Sequence, residues 1–389
     1  MEVPSSEADP LQTGARGLGT QFWTLIAATF LAFCGIGTVL PGMAIHIRHD
    51  LGGSDQTVGL VIGTFSVVAL ASRFISGPLA DRKGRKLVFM VGLASCSAAG
   101  VAYLLPLGVA GMYLGRGMQG FGEACLYTGA AAWAVETAGM HRSGRALGFV
   151  STGIWGGFSV GPVIGQWLGS FERAAILQVV AALAGLALLS RVHEHYEPHP
   201  SPGKRKWLPK ELITSGLAVG LVNVHYPVVT GFLILHMTQT GGSGPIAFSA
   251  YALMVLLSRF FLGGLPDRVP PAYTFYAGLT SMAAGLSLLA LVPGPLTSMA
   301  GAVLLGLGFA FPWSSVASTV LRRTPSHLRG STVGILSAFV DLFVGTSSFA
   351  AGALAQRYGY SAAFLLALGG VSMAAIVGTR VFQQRAKSV

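Results

Sequence analysis

Twelve apolar stretches divide this chain: 21–46, 57–80, 86–107, 109–137, 145–169, 173–192, 211–238, 245–265, 272–292, 295–321, 328–356 and 359–382. Each is long enough to cross a hydrocarbon core of about 30 Å as an α-helix. A lone segment in lipid must satisfy its own backbone hydrogen bonds, which a helix does and a single strand does not. Charged residues make up 10% of the chain, against about 25% in soluble domains, too few to coat a water-facing exterior. The expected fold class is an all-α membrane protein of twelve transmembrane helices.

A repeat organises those helices into halves. Arg73 to Lys86 reads RFISGPLADRKGRK and Arg259 to Arg268 reads RFFLGGLPDR, an offset of 186 residues (259 − 73). His141, Gly144 and Gly148 return at the same offset as His327, Gly330 and Gly334. Two matches at one period close to half the length of 389 residues point to a duplicated unit. Residues 193–210, HEHYEPHPSPGKRKWLPK, break the apolar pattern with prolines and a basic cluster and form the linker. The expected organisation is a tail over 1–20, a six-helix bundle over 21–192, the linker, a second six-helix bundle over 211–382 and a tail over 383–389.

Charge sets the expected orientation. The net charge is +11 with 25 Lys and Arg, a balance that would suit nucleic acid if it formed one solvated patch. Instead only Arg48, Arg173 and Arg357 fall on one side and Arg73, Arg116 and Arg259 within spans, while all the others fall on the opposite side. That asymmetry is the positive-inside pattern and puts both termini and the linker in the cytoplasm. The first twenty residues are polar and do not resemble a cleavable signal peptide. Cys34, Cys96 and Cys125 fall inside spans, at spacings of neither a disulfide framework nor a zinc site, and are expected as packing residues.

The stretch GPLADRKGRK, with Gly77, Leu79, Ala80, Asp81, Arg82, Gly84, Arg85 and Lys86, resembles the loop between helices 2 and 3 of the major facilitator superfamily. The resemblance implies two pseudo-symmetric six-helix bundles that rock about a midplane site. It also implies a gate of Asp81, Arg85 and Glu136 that locks one state, with Asp267 and Arg268 as a weaker echo. Gly77 is expected to let helices approach closely, and Arg73 and Arg259 to snorkel or to pair with Asp81 and Asp267. A positive-inside anchor in a tight turn is the plainer alternative.

In the fourth span, Arg116, Gln119, Gly120, Glu123 and Tyr127 fall on a face about 100° wide. Arg116, Gln119, Gly120 and Gly122 resemble the superfamily's helix 4 pattern, whose arginine is associated with proton transfer. Gly115-Arg116, Gly122-Glu123, Thr128-Gly129-Ala130 and Trp133 look like an efflux-annotated bacterial branch often labelled arabinose-efflux permeases. Glu123 lies midway along the span, where an uncompensated charge costs at least about 2.5–3.5 kcal/mol. It is therefore expected to load and release a proton, tuned by Arg116; a neutral carboxyl bonded within the bundle is the alternative. Gly148, Gly157, Gly161, Pro162 and Gly165 resemble the fifth-helix signature of exporters, although plain helix packing also explains them.

Asp341, Asn223 and His225 share the depth of Glu123, and Pro227 frees a carbonyl beside them. With Gln119, Tyr127, Trp155 and Tyr226 they are expected to line the substrate path, Asp341 serving both substrate and proton; His225 fits equally well as packing. The chain carries no GxxxxGK[ST] phosphate loop and no zinc or thiol constellation, so neither an ATP-driven pump nor an enzyme is expected, and no cofactor. The function implied is a proton-coupled antiporter of the bacterial inner membrane exporting small organic molecules, acting as a monomer since two halves are already joined. A symporter importing a sugar or organic acid, with Arg116 on a carboxylate, and a non-transporting sensor are its rivals.

Overall fold

The structure is a computed structural model that describes residues 19–138, 143–192, 194, 210–262, 265, 269–292, 294–324 and 329–383. Among these residues every regular element is a helix. The first bundle contains α1 (Thr20–Asp50), α2 (Asp55–Lys83), α3 (Arg85–Leu104), α4 (Val109–Ala138), α5 (Ser143–Leu168) and α6 (Phe171–Ser190). The second contains α7 (Lys210–Asn223 and His225–Gln239), α8 (Gly244–Leu262), α9 (Pro271–Leu291), α10 (Pro295–Arg323), α11 (Arg329–Tyr358) and α12 (Tyr360–Gln383). Eleven helices among the described residues are long and apolar enough to cross a membrane. The other, α4, has the length at 30 residues. It is less apolar because it carries Arg116, Gln119 and Glu123, all buried against neighbouring helices.

Two helices are interrupted beside the bundle centre. In α1 the helix stops at Thr38, resumes at Leu40 and ends in a π-turn over His46–Asp50. In α7 it stops at Asn223 and resumes at His225. Pro41 and Pro227 explain both breaks: proline has no N–H for the carbonyl four residues back, and its ring presses on that carbonyl. They lie 186 residues apart (227 − 41), so the repeat extends to the breaks themselves.

Glycine brings backbones together inside the first bundle. A Cβ at Gly157 would lie 2.6 Å from the Cys34 nitrogen, one at Gly161 would meet the Cys34 carbonyl and one at Gly165 the Thr38 carbonyl. These three residues and Pro162, whose Cδ lies 3.0 Å from where a Gly37 Cβ would sit, seat α5 on α1. Gly148 is different, because a Cβ there meets no described atom within 4 Å. The three cysteines are free and buried.

Between the bundles the packing tapers. At the end that carries Asp55, a Cβ on Gly59 would lie 2.5 Å from the Ser348 carbonyl and 2.8 Å from the Gly352 Cα, and one on Gly63 2.6 Å from Phe349. There the Asp55 backbone donates to Gln356 Oε1 (3.1 Å) and the Tyr360 hydroxyl to Asp55 Oδ1 (3.3 Å). Arg48 adds an ion pair to Asp55 at 3.2 Å. Toward the other end of the same two helices, Gly77 of α2 and Gly334 of α11 have no described atom within 4 Å of a built Cβ. The expected close approach at Gly77 is therefore not made in this conformation, because the bundles diverge there.

These contacts separate two kinds of glycine. Gly161→Val should lower stability by about 1–3 kcal/mol through overpacking, while Gly148→Ala should stay within about 0.5 kcal/mol. Thermal unfolding of the detergent-solubilised protein reads both, and equal midpoints for the two variants would contradict the α1–α5 seating.

Candidate functional site

The bundles enclose a cavity of about 750 Å³, counting the space at its mouth, between the closed Asp55 end and the diverging end. Its wall draws on α1 (Ile36, Leu40), α2 (Phe65, Ser66, Arg73), α4 (Arg116, Glu123, Tyr127) and α5 (Ile154, Trp155, Phe158). From the other bundle come Asn223 and Tyr226 of α7, Trp313 of α10, and Ser337, Val340, Asp341 and Val344 of α11. The helix break in α7 puts Asn223 and Tyr226 on this wall.

Arg73 is the centre of the site. Its Nε donates to Asp341 Oδ2 at 2.6 Å across the bundle boundary, and its Nη2 lies 3.3 and 3.4 Å from the two Glu123 oxygens within its own bundle. The guanidinium also lies 5.0 Å from the centroid of the Tyr127 ring. Tyr127 in turn accepts from Ser337 at 3.1 Å, a second bond between bundles. Glu123 and Asp341 are 7% and 8% exposed, so both acids are nearly dry and share one cation. Such a group can hold at most one unneutralised negative charge, and a single proton removes it.

This geometry corrects two expectations. Arg73 does not snorkel but pairs with Glu123 and Asp341: ten residues of α2, about 15 Å of rise, separate it from the helix end at Lys83, too far for its side chain to reach the interface. Arg116 is not the partner of Glu123 either. Its guanidinium bonds Gln119 Oε1 and the Ile62 carbonyl, the latter at 3.3 Å, and stacks 4.4 Å over Phe65. Gln119 is fully buried behind it, bonded to Tyr103 (3.2 Å) and Gln178 (2.8 Å), and does not line the cavity.

His225 also stands off the wall. It is fully buried, with Nδ1 at 2.7 Å from the Val222 carbonyl and Nε2 at 3.4 Å from the Tyr251 hydroxyl, its ring edge-on to Phe309. Asn223 keeps one donor on the Val219 carbonyl at 2.7 Å. Glu123, Asp341, Arg116, Tyr127, Trp155, Asn223 and Tyr226 do meet around one space.

At the α2–α3 turn, Arg85 and Glu136 are ion-paired, both within the first bundle. The side chain of Asp81, and all of Asp267 and Arg268, lie outside the described residues. Arg82 is exposed. Gly84 holds φ at +98°, where only glycine is unstrained. Beside it Glu194 accepts from the backbone nitrogens of Arg85 (2.7 Å) and Lys86 (3.0 Å), placing a carboxylate on the positive N-terminus of α3. Glu194 has no motif; only its position opposite a helix start reveals it.

The comparisons with known proteins follow the same outline. The sequence profile of the Major Facilitator Superfamily matches residues 25–342 and 213–388. The chain belongs to the major facilitator superfamily. Similar proteins include an "uncharacterized MFS-type transporter" of Salmonella typhimurium, 26% identical over 88% of this chain and 91% of that one. Another of that description, from Burkholderia mallei, is 25% identical over 100% of this chain and 98% of that one. Among solved structures, the nucleoside transporter NupG superposes with a TM-score of 0.70 at 15% identity, covering 94% of this chain and 100% of that one. The human organic anion transporter MFSD10 gives 0.69 at 15% identity, over 92% and 98%. At those identities the two structures speak for the fold alone.

The repeat of this superfamily member is broken at its most polar point. At the 186-residue offset, Arg73 corresponds to Arg259, Glu123 to Phe309 and Asp341 to Trp155. The expected partner of Arg259, Asp267, lies outside the described residues; the Arg259 guanidinium stacks 4.3 Å over Trp155 and lies 5.5 Å from Phe309. Two arginines thus hold equivalent positions, one clamped by acids and the other by aromatic rings.

Removing the shared cation tests the acid clamp. Arg73→Gln leaves two buried carboxyls without a partner and should cost about 3–5 kcal/mol, part of which the added Asp341→Asn should restore. Thermal unfolding of the single and double variants gives the coupling; strictly additive losses would show that Arg73 and Asp341 do not act as a pair.

Proposed function

We propose that this transporter is a proton-coupled antiporter that exports small organic molecules by alternating access. The observation that supports it is Arg73 bridging Glu123 in one bundle and Asp341 in the other, at the wall of the central cavity. A proton on either carboxyl weakens its hold on Arg73, so protonation changes the force that keeps the bundles together at this level. Proton load and bundle position are then linked, as coupled transport needs.

The cycle follows from those contacts. With the basic loops in the cytoplasm, the conformation here is closed outside by Asp55, Gln356 and Tyr360 and open inward near Gly77 and Gly334. Substrate enters the cavity from the cytoplasm, the bundles rock, and substrate leaves outside as a proton arrives at Glu123 or Asp341. The proton travels inward on the return. Arg85 and Glu136, with Asp81, act at the cytoplasmic end of α2 and α4 as the gate of the outward-facing state. The glycine and proline seat of α5 on α1 supports export by its resemblance to the exporter signature. The membrane is the bacterial inner membrane, and a single chain holds the whole cavity.

Import by symport is the second reading, supported by Arg116, a cavity-lining cation with no acid partner among the described residues.

Proteoliposomes loaded with a pH dye separate these. Substrate-evoked proton movement opposite to substrate, lost in Glu123→Gln, is the expected result. Movement in the same direction would replace antiport by symport, and unchanged coupling in Glu123→Gln would remove Glu123 from the proton path. Alternating access makes a separate demand: Gly334→Leu, in open space here, should leave thermal stability within about 0.5 kcal/mol yet abolish turnover by blocking inward closure. Normal transport by that variant would contradict the proposed rocking.

A further inference from the structure

Charge around the cavity is not evenly satisfied. Arg73 has two carboxylates, while Arg116 on the cavity wall and Arg259, which stands behind Trp155 and not on the wall, have none among the described residues. Arg116 is 3% exposed and lines the cavity, with neutral partners only and its Nε unbonded. Arg259 is less satisfied still: its Nε and Nη2 are buried without a hydrogen-bond partner, and its neighbours are the faces of Trp155 and Phe309. Trp155 walls both the central cavity and a smaller one of about 380 Å³ next to it. A guanidinium offers five donors in a fixed fork and does not give up its proton. Two such groups with buried donors and no counter-charge among the described residues of a membrane protein mark the places where a charge is meant to arrive.

The repeat says what that charge is. Arg259 stands where Arg73 stands in the other half, but the two acids that hold Arg73 are replaced by Phe309 and Trp155. The missing carboxylate is left for a visitor, and the rings supply a flat apolar surface for its body. We propose that the transported molecule is an organic anion with a flat apolar body, drawn by two unpaired arginines, Arg116 on the cavity wall and Arg259 behind Trp155. This rests on reading the cavity as the substrate site. It leaves the direction of the proton open, because the proton-bearing acids have an arginine of their own.

The test is equilibrium binding to the purified full-length chain in detergent, by isothermal titration, with 1-naphthoate, 1-naphthamide and 1-naphthylmethylamine. The three share a body and differ in charge. The carboxylate should bind at least about tenfold more tightly than the amide, the scale of one charge-assisted bond, and the amine more weakly than either. Arg259→Gln and Arg116→Gln should each bring carboxylate and amide to within about twofold, and Arg259→Lys should recover part of the preference. Thermal unfolding run beside each titration confirms a folded variant, and the lysine variant carries the test if a glutamine variant is unfolded. Equal affinity for the amide or amine, no heat with the carboxylate up to about 1 mM, or a preference unchanged in both glutamine variants each overturns the proposal. Since no proton gradient is present, carboxylate preference without coupled proton movement in liposomes would sink the coupling reading and keep this one, and the reverse would do the opposite.

Discussion

A single buried guanidinium shared by two carboxyls from different bundles is the constraint around which this transporter is arranged. Arg73 reaches Asp341 at 2.6 Å and Glu123 at 3.3 Å, in a region where unpaired charge is expensive. Every neighbouring feature serves that group: Tyr127 faces the guanidinium and bonds Ser337 across the boundary, while Gln119, Tyr103 and Gln178 hold Arg116 away from it. The two carboxyls share this one cation, so the interface here carries one more acid than base.

Close packing sets how the two bundles meet. Gly59, Gly63 and Gly352 let α2 and α11 touch at one end, and Gly77 and Gly334 leave them apart at the other. Small residues at both ends of the same two helices allow either end to be the closed one, since a bulky side chain at any of these positions would prop the bundles open. Inside the first bundle the opposite holds. Gly157, Gly161 and Gly165 lock α5 to α1, so these two helices pack as one unit.

The duplication and its departures divide the labour between halves. Pro41 and Pro227 break equivalent helices beside the cavity, and Gly148 and Gly334 sit in equivalent open positions. Exchange of Glu123 and Asp341 for Phe309 and Trp155 around the second arginine turns an acid clamp into an aromatic one. One repeated geometry thereby surrounds its two arginines with two chemistries.

The sequence alone determined the helices, their number, the two halves and the polar residues at mid-depth, because apolar runs of span length leave the backbone no other solution in lipid and a repeat needs no structure to be seen. It also singled out Glu123, Asp341, Tyr127, Trp155, Asn223 and Tyr226, which do surround one space. What it misassigned were partners. Arg73 lay too close to a loop motif to be read as central, Arg116 shared a helix face with Glu123 without touching it, and His225 and Gln119 lay at the right depth but on faces turned into protein. Depth along a helix follows from counting residues, but which helix stands opposite is set by tertiary packing. Only the assembled bundles could decide that Arg73 of α2 meets Asp341 of α11, 268 residues away in the chain.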